Sequence, residues 1–225
     1  MFEDFKNTID FFIRNKTKFS RKNFQELNPD LIKRNELENQ YTYDVLNQFF
    51  EKISIQNANI LDIGCKNWFY ARGEYDFFNS FLDDFSLDGI ELDAYRLYSN
   101  FYSRYEVALY YIKNLKNTNY IADNLLNLNK KYDYITWFLP FILIKPLQYW
   151  GLPKKYFCPD ELLSHAYGLL NDNGQMLIIN QGEIEEKVQE ELFKKLNIPY
   201  EKLGEIRSNF FEYKNSRYGF LVKKS

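Results

Sequence analysis

The stretch Ile60-Leu61-Asp62-Ile63-Gly64-Cys65-Lys66-Asn67-Trp68 constrains the fold more than any other part of the chain. Ile60 to Ile63 is apolar on both sides of a period-two alternation, apart from Asp62. Such a segment suits a central strand of a parallel sheet covered by helices on both faces. Gly64 follows the strand directly, where a residue without a Cβ lets the backbone turn sharply and approach a ligand closely. Ligands of open α/β sheets lie outside the carboxyl ends of the strands, which puts Asp62 and Gly64 at the mouth of a site.

The flanking segments extend that pattern. Phe2, Phe5, Ile9, Phe12 and Ile13 recur at helical spacing, and a second helix is expected from Asn28-Pro29 to about Ile53, with Leu31, Tyr41, Val45, Leu46, Phe49 and Phe50 inward. After the first strand, Phe77, Phe78, Phe81, Leu82 and Phe85 predict a helix over about 73–85. Leu87 to Glu91 reads as the second strand, Tyr120 to Asp123 as the third, Tyr132 to Phe138 as the fourth and Gln175 to Asn180 as the fifth. Asp93 is the expected cap of a helix carrying Tyr95, Tyr98, Tyr102, Tyr105, Leu109 and Ile112, a stripe of the kind any core-facing helix shows. Leu162 to Leu170 predicts another helix, closed by Asn173-Gly174, and an amphipathic helix follows from about Glu183 to Leu196. Lys202 to Phe211 and Arg217 to Lys223 look like a terminal antiparallel pair. Strands alternating with helices argue for βαβ units. The expected fold class is α/β: a doubly wound, mostly parallel sheet with an antiparallel C-terminal strand, residues 54–225, and an N-terminal helical cover packed on it, residues 1–53.

Charge narrows the partners. The 225 residues carry 29 Lys and Arg against 31 Asp and Glu, a net charge of −2, so no global basic field invites nucleic acid or an anionic membrane. The one basic cluster, Arg14, Lys16, Lys18, Arg21 and Lys22, reads as a solvated helix end and loop. No secretory leader or spanning run is visible, which leads to the expectation of a cytoplasmic protein. Cys65 and Cys158 have no C-x-x-C spacing, and the single histidine, His165, lies on a helix face, so neither a disulfide framework nor a metal site is expected.

Three strands in series end in an acid: Asp62, Glu91 and Asp123. A carboxylate at the end of the second strand is well placed to accept both hydrogen bonds of a ribose diol. At this point the chain resembles the class I S-adenosylmethionine-dependent methyltransferases, a superfamily with a Rossmann-like fold. "ILDIGCKNW" stands where that family has a strand, an acid and a G-x-G-x-G loop, "GIELD" resembles the ribose-binding motif, "YIADN" the adenine-binding motif, and "YDYITWFLPF" the fourth strand near the acceptor. "LLNDNGQMLII" is similar to the family's helix, turn and fifth strand, so the likeness covers roughly residues 57–223. It implies S-adenosylmethionine as cofactor, with Asp62 and Gly64 bordering the methionine part and Cys65, Lys66 and Trp68 as further cofactor-binding residues of the loop. Glu91 would hold the ribose hydroxyls, Asp123 the adenine amino group, and Leu92, Asn124 and Trp137 the adenine faces and edges.

The chain departs from the family at the loop. Lys66 and Trp68 occupy the second and third glycine positions, and Asp62 to Glu91 is longer than the roughly 20-residue step of dinucleotide-binding sheets. Either the loop is rebuilt, with Lys66 offering a cation to the methionine carboxylate and Gly73 supplying flexibility, or Trp68 fills the cofactor space and the domain is a non-catalytic interaction module. A transfer from an altered nucleoside cofactor on the same fold is a third option. With methyl transfer expected, a small-molecule or glycan acceptor suits the charge balance better than nucleic acid. Trp137, Phe138, Pro140, Tyr149, Trp150, Gln181, Glu183, Tyr70 and Arg72 are the residues expected to line its site.

Overall fold

The computed structural model describes residues 2–19 and 29–224, with side chains of the second helix from residue 33 onward. Arg21, Lys22, Asn28 and the side chain of Leu31, all named above, lie outside the described residues. Two helices, α1 (Phe2–Thr17) and α2 (Pro29–Phe49), precede β1 (Ala58–Ile63). Then come α3 (Ala71–Asn79), β2 (Phe85–Ile90), α4 (Arg104–Ile112), β3 (Thr118–Ile121), β4 (Tyr132–Phe138), α5 (Ile144–Tyr149), α6 (Pro159–Leu169), β5 (Leu170–Gln181), α7 (Gly182–Leu196), β6 (Glu201–Ile206) and β7 (Arg217–Lys223). The seven strands form one sheet in the order β3-β2-β1-β4-β5-β7-β6. β1 to β5 pair in parallel, and β7 runs antiparallel to both β5 and β6.

The alternation of β1 decides which layer each side chain enters. Ile60 joins Val45 and Leu46 of α2, Phe77 and Phe78 of α3 and Ala108 of α4 on one face. Leu61 and Ile63 join Leu163 and Ala166 of α6 and Leu192 and Phe193 of α7 on the other. Helices therefore cover both faces, and α2 shares its hydrophobic cluster with the central strands. Strand order reverses between β1 and β4, which makes their carboxyl ends the topological switch point. No helix among the described residues is long and apolar enough to cross a membrane.

Three local readings are corrected. Residues 91–103 are a loop, and α4 begins only at Arg104, where Ser103 and Glu106 form a reciprocal capping box. Asp93 caps nothing: buried, it pairs with Arg14 of α1 at 2.5 Å and with Arg96 at 2.6 Å, and lies 3.7 Å from Arg104. Asn173-Gly174 is an irregularity inside β5, with Asn173 at φ +63°, while α6 ends at Leu169 without a left-handed cap. The stripe Phe2, Phe5, Ile9, Phe12 and Ile13 of α1 faces outward, with Phe2 83% and Phe12 63% exposed, while Phe11 beside it is buried. The helix docks instead by Asn7, which donates to the carbonyls of Gln148 and Leu152, by Phe11 against Tyr156, and by Arg14.

Candidate active site

Along the connection from β1 to α3, alternate residues adopt left-handed backbone: Gly64 at φ +72°, Lys66 at +58° and Trp68 at +47°. These are the three positions of a G-x-G-x-G loop, so the chain keeps a glycine-like path with side chains on it. The path is pinned by backbone bonds, Gly64 N to Ile90 O at 2.8 Å and Trp68 N to Cys65 O at 2.8 Å. Lys66 N donates to Glu91 Oε2 at 2.9 Å, and the Tyr120 hydroxyl donates to the Lys66 carbonyl. From α2, Asn39 accepts from Gly73 N at 2.7 Å and donates to Phe69 O at 3.1 Å. Gly73 is there for close approach rather than flexibility, because a Cβ would stand 2.2 Å from the Asn39 carbonyl oxygen.

Trp68 is fully buried and turned into the core, its ring against β2 so closely that a Cβ on Gly89 would meet it at 2.8 Å. Its indole Nε1 donates to Glu74 Oε2 at 2.8 Å, and the Thr136 hydroxyl donates to Glu74 Oε1 at 2.8 Å. Asp62, also fully buried, accepts from the Tyr70 hydroxyl at 2.8 Å. Burial raises the pKa of Glu74 to about 7, and burial with Glu74 alongside raises that of Asp62 well above the carboxylate range. The pair therefore retains a proton at neutral pH, which can serve Asp62 Oδ1, a buried oxygen with no other partner among the described residues.

A cavity of about 890 Å³ opens over the carboxyl ends of the strands. That is near the upper end for a small-molecule site, with room for two ligands side by side. Gly64, Cys65, Lys66, Glu91, Leu92, Asp123, Asn124 and Trp137 all reach its wall. Asp62 and Trp68 do not: Tyr70 stands on the wall in front of Asp62, and Trp68 points the other way. A Cβ on Gly64 would meet nothing within 4 Å, so its backbone faces open space. Of the expected acceptor residues, Trp137, Phe138, Pro140, Trp150, Gln181 and Tyr70 line the cavity, whereas Tyr149, Glu183 and Arg72 do not. Burial pushes the Cys65 thiol well above its usual range, so it stays protonated at neutral pH.

Glu91 Oε1 accepts from Asp93 N at 2.7 Å and lies 3.4 Å from Arg104 Nη1, while Oε2 has only Lys66 N among the described residues. A carboxylate offers about four lone-pair sites, so Oε2 retains room for one more donor and Oε1 gains room if Arg104 moves. Lys66 Nζ makes no ion pair among the described residues and sits 4.9 Å from the ring centre of Trp150, which also carries Arg104 at 5.5 Å. Burial, then the Arg104 charge, lower the Lys66 pKa. Asp123 Oδ1 accepts from Asn124 N at 2.7 Å and from Asn127 Nδ2 at 2.8 Å, so it shapes the turn it stands in. His165 is held by the Leu128 carbonyl at 2.9 Å, away from the cavity.

Several cavity residues carry no sequence signal for a site: Arg34 and Glu38 from α2, Tyr41 of α2, whose spacing marks it only as inward, Arg104 from α4, and Tyr213 and Arg217 from the C-terminal hairpin. Packing alone brings them there.

No family model matches the chain, and no curated protein matches it in sequence. Solved structures do match. A SAM-dependent methyltransferase from Aquifex aeolicus aligns with a TM-score of 0.61 at 14% identity, over 89% of this chain and all (100%) of that one. A methyltransferase from Pyrococcus furiosus aligns at 0.53 and 19% identity, over 83% and 82% of the two chains. The plantazolicin methyltransferase BpumL in complex with SAH aligns at 0.50 and 16%, over 85% and 84%. At such identities the likeness is one of fold, and it agrees with the strand order read above: the chain has the fold of the class I S-adenosylmethionine-dependent methyltransferases.

Proposed function

We propose that the chain is an S-adenosylmethionine-dependent methyltransferase acting on a small-molecule or glycan acceptor. The observation that carries this is the open cavity at the switch point, with Gly64, Glu91 and Asp123 on its wall and Trp68 outside it. The donor set suits the cofactor. Glu91 has an accepting site for a ribose hydroxyl, Lys66 has a cation with no direct ion pair among the described residues and so available to a carboxylate, and Leu92 and Trp137 give apolar surface for a base. When bound, the cofactor supplies a methyl group on a sulfonium, already a strong electrophile. What remains for the protein is to hold an acceptor in line and keep water out, and orientation of that kind can be worth several orders of magnitude in rate. A general base is optional where the acceptor is an amine, a thiolate or an acidic hydroxyl.

Calorimetric titration with S-adenosylhomocysteine tests the proposal, with saturable binding as the expected result. Lys66→Ala is expected to weaken it by roughly 10-fold or more, the scale of a partly desolvated charge-assisted bond, while adenosine, which lacks the carboxylate, keeps its affinity. No binding at millimolar ligand would overturn the cofactor assignment. An equal loss for both ligands would remove Lys66 from the carboxylate.

A further inference from the structure

Arg217, at the start of β7, lines the same cavity as Glu91. From β2 to β7 the sheet takes four strand steps, about 19 Å at the usual spacing, so Arg217 stands well beyond the ribose end. Its guanidinium is held in place on one side only. Nη1 donates to Gln181 Oε1 at 3.0 Å and to the Asn215 carbonyl at 3.2 Å, and the Tyr213 ring lies 4.4 Å from the guanidinium carbon. Nε and Nη2 have no partner among the described residues, and no ion pair reaches the side chain. The carboxylates within reach of its charge are engaged elsewhere, Glu38 with Arg34 at 3.1 Å and Glu185 with Gln181 N at 2.8 Å. A half-buried guanidinium with a free fork and no counter-ion is an expensive arrangement unless an anion is to fill it.

A second, independent observation lies beside it. The Tyr41 hydroxyl on α2 is buried, has no hydrogen-bond partner, and belongs to a residue on the same cavity wall. Its ring meets Tyr213 edge-on at 5.1 Å, so Tyr213 bridges the two unsatisfied donors. Burial pushes the Tyr41 phenol up to about 12, so it stays protonated and able to donate at neutral pH.

We propose that the methyl acceptor is a small molecule bearing an oxyanion, a carboxylate or a phosphate monoester, seated on the Nε/Nη2 edge of Arg217 with the Tyr41 hydroxyl as a further donor. This rests on the methyl-transfer assignment above. The planar fork matches two oxygens of either group, and the aromatic walls beside it accommodate an apolar body. The chain's net charge of −2 gives no general attraction for anions, so the preference is local.

The test titrates the full chain, with and without S-adenosylhomocysteine, against benzoate, phenyl phosphate and neutral benzamide. At least one anion is expected to bind tenfold or more tightly than benzamide. Arg217→Gln should abolish that difference, Arg217→Lys should restore only part of it, and Tyr41→Phe should reduce it several-fold. S-adenosylhomocysteine affinity, unchanged in all three variants, would show that they are folded. Equal binding of anions and benzamide, or an anion preference that survives Arg217→Gln, overturns the proposal. An Arg217-dependent anion preference in a protein that does not bind S-adenosylhomocysteine would instead overturn the cofactor assignment and leave the anion site standing.

Discussion

Lys66 separates two contributions that a single substitution would mix. Its backbone is left-handed at φ +58°, a conformation that costs a residue with a Cβ about 1–2 kcal/mol. Lys66→Ala removes the cation and keeps that cost, whereas Lys66→Gly removes both. Glycine loses about 0.5–1 kcal/mol more chain entropy on folding, so the Gly variant should be more stable than the Ala variant by roughly 0.5–1 kcal/mol. Both variants lose the contact with Trp150, and both keep the bonds from Lys66 N to Glu91 and from Tyr120 to the Lys66 carbonyl, so these terms cancel in the comparison. For a domain of this size the difference is about 1–4 °C in melting temperature, readable by calorimetric or fluorescence melting of the two proteins side by side. Their affinities for S-adenosylhomocysteine should fall equally, because the cation is absent from both. An Ala variant as stable as the Gly variant would refute a left-handed Lys66, and with it the glycine-like path of the loop.

Two further outcomes concern the buried polar groups. Glu74 has a folded pKa raised to about 7 from an ordinary value of 4.5, so the folded state binds more protons than the unfolded one between those limits. Stability should therefore fall as pH rises from about 4.5 to 7, by up to about 3 kcal/mol from this group, and Glu74→Gln should flatten that slope in urea unfolding at pH 5 and pH 7.5. Parallel profiles for parent and variant would contradict the protonated pair. Asp93→Asn leaves Arg14, Arg96 and Arg104 around a neutral side chain and should cost about 3–5 kcal/mol, measured as a lower urea midpoint; a loss under about 1 kcal/mol would mean that the cluster is solvated.

The strands were legible because their signal is local. Ile60 to Ile63 and Tyr132 to Phe138 are short segments rich in β-branched and aromatic residues, each entered from a polar residue, and they fall within β1 and on β4. The tyrosines from Tyr95 to Tyr105 have helical spacing yet lie mostly in a loop, because Asp93 ties that segment to arginines of α1 and α4; the decisive local signal was Ser103 with Glu106 three residues on. On α1 the periodicity marks an apolar face but not a docking face. The polar face wins because Asn7 and Arg14 find buried carbonyls and Asp93. Of the cavity wall, Glu91 and Asp123 could be read from strand order, whereas Asp62 sits behind Tyr70. Tyr41 and Arg217 could not be read so, since they are 176 positions apart and only the packing of α2 over the C-terminal hairpin joins them.

Trp68 was the residue on which opposite functions turned, and its placement can be decided by magnitudes. In the cavity, its removal would open space for a ligand and cost the core little. In the core, where it lies fully buried with its Nε1 bonded to Glu74, Trp68→Gly forfeits a packed indole at about 3–5 kcal/mol and regains about 1–2 kcal/mol from its left-handed backbone. The net expectation is a loss of about 1–4 kcal/mol. Because the indole anchors the loop whose Lys66 N–H is bonded to Glu91, S-adenosylhomocysteine affinity should fall with it rather than rise. Urea unfolding and calorimetric titration of the same preparation give both quantities. A Trp68→Gly protein of unchanged stability that binds the ligand more tightly would put the indole back in the cavity. A destabilised protein that binds no better would leave Trp68 as the weight that holds a loop without its second and third glycines on a glycine's path.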